Sequence, residues 1–291
     1  RNIKLSRLSE ITDGLTRRFQ TTRDTDIDNP GAVGKVGGGI LGALLLLISV
    51  LGFIWDSEPN LFDVSAATDR LASEQGVQRV TGTATVAAVV SMADVLLTKR
   101  GGYLSNDIMP PGVWMDNVPN WEFGVLVQIR DMVRTLRNNL SRSQSQSTED
   151  RGLVVSENQF YIDSNTWALP ESEGEYQKGV VALRDYARRL GDTSAQEAQF
   201  YARADNLRNW LSEVETRLGS LSQRLSASVG KRQLDTSLAG DVAATQSTTP
   251  SSDQEVKTPW TQLDDVFYEA RGTTWALLHL LQAVEHDFHD V

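Results

Sequence analysis

The 291-residue chain has no cysteine. That excludes disulfide staples, thiol nucleophiles and thiolate metal sites together, so stability rests on packing and the redox compartment stays open. Histidine is scarce, with three in the chain, which narrows the options for general-base and imidazole-metal chemistry. Positive charge is also in deficit: 28 Lys and Arg face 38 Asp and Glu, a formal net charge of -10. The phosphates of a nucleic acid are therefore repelled by the protein as a whole, and no nucleic-acid partner is expected. No G-x-S-x-G elbow occurs, and the only glycine cluster lies in an apolar run instead of after a strand, so no nucleotide site and no cofactor is expected. With 40% hydrophobic and 23% charged residues the composition is that of a folded protein.

What the chain does have is one long uncharged run, VGGGILGALLLLISVLGFIW, from Val36 to Trp55. At about 1.5 Å per residue it just crosses a hydrocarbon core of roughly 30 Å, and it reads as a transmembrane helix at 36–55. Trp55 then takes an interfacial position. Seven Lys and Arg precede the run and none lies between Asp56 and Asp69. The charge bias places residues 1–35 in the cytoplasm and 56–291 outside, in the periplasm of a Gram-negative cell, with the inner membrane between. A cleaved signal peptide is the competing reading, against which stand the long basic region and the long apolar run. Leu5, Leu8, Ile11, Leu15 and Phe19 follow helical spacing, so the tail reads either as an amphipathic helix on the inner leaflet or as a frayed end. Gly34, Gly38 and Gly42 recur every four residues, a stripe that lets a second membrane helix approach closely.

Beyond the span the pattern is helical almost throughout, and the expected fold is all-α: one transmembrane helix followed by a bundle of about five helices. The stretches are about 77–99 (closed by Gly101 and Gly102), 119–141, 173–190 (stopped by Gly191), a fourth from Phe200, and 261–287. In the fourth, Phe200, Ala204, Leu207, Leu211, Val214, Leu218, Leu221 and Leu225 form a heptad seam. It serves either an intramolecular bundle or a second chain, with Arg203, Arg208, Arg217 and Arg224 flanking it. Residues 230–259 are polar and read as a linker, and SRSQSQSTED at 141–150 as a solvated helix end.

Two groups of residues are candidates for chemistry or binding. The loop GGYLSNDIMPPGVWMDNVPNWEFG, Gly101 to Gly124, holds Tyr103, Asp107, Trp114, Asp116 and Trp121. Aromatic faces among acceptors on a Pro- and Gly-rich path suit a partner surface, or equally a plug for the end of the bundle with the Asx residues as helix caps. His279, His286 and His289 share the last helix with Glu285, Asp287 and Asp290. Their spacing matches no zinc motif but permits a nitrogen-oxygen metal site, and with it an envelope hydrolase.

The run GGYLSNDIMPPGVWMDNVPNWEFGVLVQIRDM, then SRSQSQSTED and QFYARADNLRNWLSEVETRLGSLSQRLSASVG, resembles a family of proteobacterial inner-membrane proteins known only as a domain of unknown function. The resemblance covers the chain from the span to about Gly230 and again near the C-terminus. It implies a one-span envelope protein and brings no catalytic residues. The functional expectation is a membrane-anchored structural or adaptor subunit that assembles with itself or with other envelope proteins. The alternatives are the hydrolase and a periplasmic sensor, the latter disfavoured because about 35 cytoplasmic residues are too few for an output domain.

Overall fold

The computed structural model describes residues 30–143, 148–195, 197–229, 231–233, 254–256 and 258–291. The amphipathic pattern at Leu5 to Phe19 and the segment 234–253 lie outside the described residues. The chain forms two compact units, 1–53 and 54–291.

In the first unit, α1 (Pro30–Trp55) starts on a proline, whose fixed φ suits the first helical position. Gly37–Trp55 has a mean hydropathy of 2.3. It is long and apolar enough to cross a membrane. Gly38 and Gly42 have open space beside them.

Among the described residues the second unit is a bundle of seven helices where five are expected from the sequence. They are α2 (Val64–Gln75), α3 (Thr83–Thr98), α4 (Asn117–Thr135), α5 (Arg151–Phe160), α6 (Ser172–Gly191), α7 (Ala204–Ser228) and α8 (Leu263–Phe288). The two additional helices are short and announced by caps. Asp63 accepts from Ser65 and Ala66 N–H to start α2, which Gly76 ends in a left-handed conformation (φ 65°). Asp150 does the same for α5 through Gly152 and Leu153. SRSQSQSTED is thus no extension of the preceding helix: that helix closes at Leu140, where Ser141 N–H bonds Leu136 C=O (2.9 Å), one residue wider than an α-turn. Two three-residue strands, Lys231–Gln233 and Gln254–Val256, pair antiparallel at the ends of the polar stretch.

The core centres on α3. Its sequence TATVAAVVSMADVLLT is apolar all round, and Val86, Ala87, Ala88, Val89, Met92 and Ala93 are completely buried. A short helix of that kind is stable only when other helices surround it, and α2, α4, α6 and α8 do so. The closest pairing is α4 on α8. At Gly124 a Cβ would lie 2.3 Å from Glu269 O, and at Gly272 one would lie 2.0 Å from Trp121 O. The two backbones meet where neither carries a side chain.

The heptad seam divides. Phe200 precedes α7 and sets its ring edge-on to Phe288. Val214 and Leu221 are buried, but their partners toward the interior are Asn206 and Trp210, off the seam. Leu211 and Leu218 stay 42% and 43% exposed. The cause is rotation of α7: Arg217 holds Asp131 of α4 through two bonds (2.7 and 2.9 Å), and Arg224 holds Glu269 of α8. Two of the arginines that flank the seam, Arg217 and Arg224, are thus ion-paired within their own chain.

Candidate functional site

The loop from α3 to α4 is built around a buried charge. Lys99 and Glu122 form an ion pair of 2.6 Å with side chains 3% and 0% exposed. Gly101 and Gly102 (φ 87° and 75°) turn the chain through two left-handed residues, a path that favours glycine. This folds Leu104 and Ser105 over the Glu122 carboxylate, which accepts both N–H groups (2.8 Å each) and the Ser105 hydroxyl (2.5 Å). Lys99 also donates to Gly102 C=O. Burial pushes the Glu122 carboxyl above the usual range, while the adjacent ammonium and the Ser105 and Leu104 donors pull the other way. The ion pair and the three donors to Glu122 tie the loop to α4, and the Lys99–Gly102 bond closes the turn, so together they hold the loop rigid. The sequence reading does not pair Lys99 with Glu122. A signal existed: Glu122 falls in register with Val118, Val125 and Ile129 on the buried face of α4, where a charge requires a partner.

The five residues expected to face a partner separate into two sets. Tyr103 and Trp121 are 1% and 0% exposed, a correction to any role at the surface. Tyr103 donates through its hydroxyl to Ser164 C=O (3.1 Å) and sets its ring on Tyr176, and Trp121 meets Trp275 edge-on. Asp116 caps α4 by accepting from Asn117 N–H (2.9 Å). Asp107 lies against Gly112, and partial burial raises its carboxyl. Trp114 is the exposed aromatic of the set, at 67%, and Asp116 is exposed as well.

Around Trp114 the loop shows further apolar side chains: Ile108, Met109 and Val113. The neighbouring loop between α5 and α6 adds Trp167 and Leu169, the latter 98% exposed in a left-handed conformation (φ 41°) that a leucine rarely adopts. Asn106 joins the two loops through Thr166 C=O (3.2 Å), as Tyr103 does through Ser164. Six large apolar side chains thus stand on two adjoining, internally braced loops.

The histidine cluster does not form. His279 is 1% exposed and its ring nitrogens are both engaged: Nδ1–H donates to Trp275 C=O (2.7 Å) and Nε2 accepts Phe62 N–H (3.1 Å). Its ring stacks on Phe62 with centroids 3.8 Å apart. Asp287 turns inward to cap α3, accepting from Gly82 N–H (2.8 Å) and from Thr85 N–H and hydroxyl (2.7 Å each). His286 and His289 face solvent. Among the described residues, no three His, Asp or Glu side chains converge in a way that would hold a metal ion.

A polar cavity of about 550 Å³ lies between α5 and α6. Two arginines line it, Arg151 and Arg189; of these Arg189 forks onto Asp150 (2.5 and 2.9 Å) and reaches Asp185, and these bonds raise its pKa. The Arg189 guanidinium is held by its own helices.

A family model matches residues 31–291. The chain belongs to DUF2333, a family of uncharacterized proteins conserved in bacteria. No curated protein and no solved structure matches it. Membership in DUF2333 therefore assigns no role to Lys99, Glu122 or the exposed loop residues, whose reading rests on their geometry.

Proposed function

We propose that this DUF2333 protein is a membrane-anchored structural or adaptor subunit of the bacterial envelope, working through protein contacts instead of catalysis. In this reading α1 is a retained inner-membrane anchor, residues 1–35 face the cytoplasm, and the helical unit lies in the periplasm. The charge asymmetry across the apolar run supports that orientation. The observation that carries the functional reading is the exposed set Ile108, Met109, Val113, Trp114, Trp167 and Leu169 on two joined loops, the first of which is braced by a buried ion pair. Aromatic and methionine side chains on a rigid support are the usual anchors of a protein interface, because little conformational entropy remains to be lost on binding. Positive-φ strain at an exposed leucine fits a functional constraint better than a packing one.

The test is a photo-reactive residue incorporated at Trp114 or Leu169 in growing cells, with exposed Ser220 on α7 as control. Discrete adducts from the first two positions and none from Ser220 are expected. Labelling no stronger at Trp114 and Leu169 than at Ser220 overturns the reading.

A further inference from the structure

The half of the heptad seam left outside the bundle has a self-complementary charge pattern. On α7 the positions turned away from the interior are Ala204, Leu211 and Leu218, seven residues apart, with Arg208 and Glu215 beside them. Arg208 and Glu215 have no ion-pair or hydrogen-bond partner among the described residues, while Arg217 and Arg224 both do. One edge of the stripe therefore carries a free cation and a free anion two turns apart.

We propose that a second copy of this chain covers this face, with the two α7 helices antiparallel about a two-fold axis at Leu211. The register follows from the spacing. Setting Leu211 against its twin puts Leu218 over the small Ala204 of the other copy. It also brings Arg208 of each copy within one residue of the level of Glu215 of the other. Both free charges are then paired twice by symmetry, and a knob meets a hole. Two alternatives fail on charge. A parallel pair sets Arg208 beside Arg208 and Glu215 beside Glu215, and an antiparallel pair shifted to put Leu211 on Leu218 brings the two Glu215 side chains together. The 25 residues of α7 form a single ridge about 37 Å long, so the contact falls at the weak end of protein interfaces, below about 1,200 Å² in total. Anchoring in one membrane raises the effective concentration of the two copies and compensates for the small area. The inference rests on the assembly reading above but names a surface distinct from the Trp114 loops.

The cysteine-free sequence makes the test direct. Full-length protein with Leu211→Cys or Leu218→Cys is reconstituted in phosphatidylcholine vesicles and treated with a short thiol crosslinker, long enough for helix axes about 8–10 Å apart. Both positions are half-exposed, and matched thermal melts verify folding. Dimer is expected from Leu211→Cys and not from Leu218→Cys, whose thiols lie 14 residues apart along the pair, about 21 Å. Differently tagged Ala204→Cys and Leu218→Cys chains are expected to crosslink to each other when mixed. In the Leu211→Cys background, Arg208→Glu should lower the yield about tenfold, and adding Glu215→Arg should restore it. Equal yields from Leu211→Cys and Leu218→Cys would replace the antiparallel pair with a parallel one and overturn the proposal. So would an uncrosslinked Leu211→Cys chain, even if discrete Trp114 adducts persist, in which case the assembly reading stands and this face is not its site.

Discussion

Substituting Gly272 by Ala tests whether the α4–α8 crossing is the tight point of the bundle. Gly272 lies inside α8, and in a helix interior alanine is preferred over glycine by about 1 kcal/mol. Propensity alone therefore says the change stabilises. The structure says the reverse: the added Cβ would stand 2.0 Å from Trp121 O and 2.9 Å from Trp121 C, both backbone atoms. No side-chain rotation relieves such a clash, so the helices must separate by more than an ångström along a contact that also includes Gly124 and Trp275. Overpacking of this kind costs typically 1–3 kcal/mol and more when backbone has to move. After the propensity gain is offset, a net loss of about 2 kcal/mol remains, which for a unit of this size lowers Tm by roughly 4–8 °C. Gly219 on α7 is the control, since nothing lies within 4 Å of its Cβ position. Gly219→Ala should raise Tm by about 2–4 °C. Far-UV circular dichroism melts of the full chain in one detergent measure both. A rise for Gly272→Ala comparable with that of Gly219→Ala would refute the close-crossing argument.

The other predictions concern the seam, the buried pair and the buried histidine. Leu221→Ala should cost about 2–5 kcal/mol in urea denaturation and Leu218→Ala about 1 kcal/mol or less, because only the first is buried; equal losses would mean the seam packs as a whole. Glu122→Leu should destabilise by about 3–5 kcal/mol, since it strands a buried ammonium and two loop N–H groups, and a neutral result would show the pair to be dispensable to the fold. Burial lowers the pKa of His279, so the folded state keeps the ring neutral while the unfolded chain takes up a proton near pH 6.5. Its contribution is complete above that pH and is lost as the pH falls from about 6.5 through the lower folded value, because a proton on Nε2 would oppose the Phe62 N–H. Raised carboxyls such as Asp287 act in the opposite sense, so the measurement is a comparison: the acid-side fall in Tm should be shallower in His279→Gln, and parallel curves would exclude His279 as the source.

How much of this was legible in the residues depends on the range of the interaction. Alternation of apolar residues at three and four, and stops such as Gly191, depend only on neighbours in the chain, and the helices they announce are present. α2 and α5 escaped because they span 12 and 10 residues, too few turns for periodicity to stand out, although Asp63 and Asp150 mark their starts. In the loop, composition singled out Trp114 together with Tyr103 and Trp121, since an aromatic residue looks the same in sequence whether it plugs a core or stands in solvent. The histidines show the same limit: spacing on one helix says which side chains share a face, not which neighbour lies opposite.

The sequence by itself determined that the chain is helical, that one segment is long and apolar enough to cross a membrane, and that α7 carries leucines at heptad spacing. Those properties follow from hydrophobic free energy and helical period, which are summed over adjacent residues. Only the tertiary structure decided which half of the seam is buried, that Glu122 finds Lys99, that Asp287 caps α3, and that His279 lies between Phe62 and Trp275. Each of these depends on groups distant in sequence being brought within about 3 to 4 Å, where electrostatics and hydrogen bonding act. The rotation of α7 set by Arg217 and Arg224 then leaves Leu211, Arg208 and Glu215 on the outside.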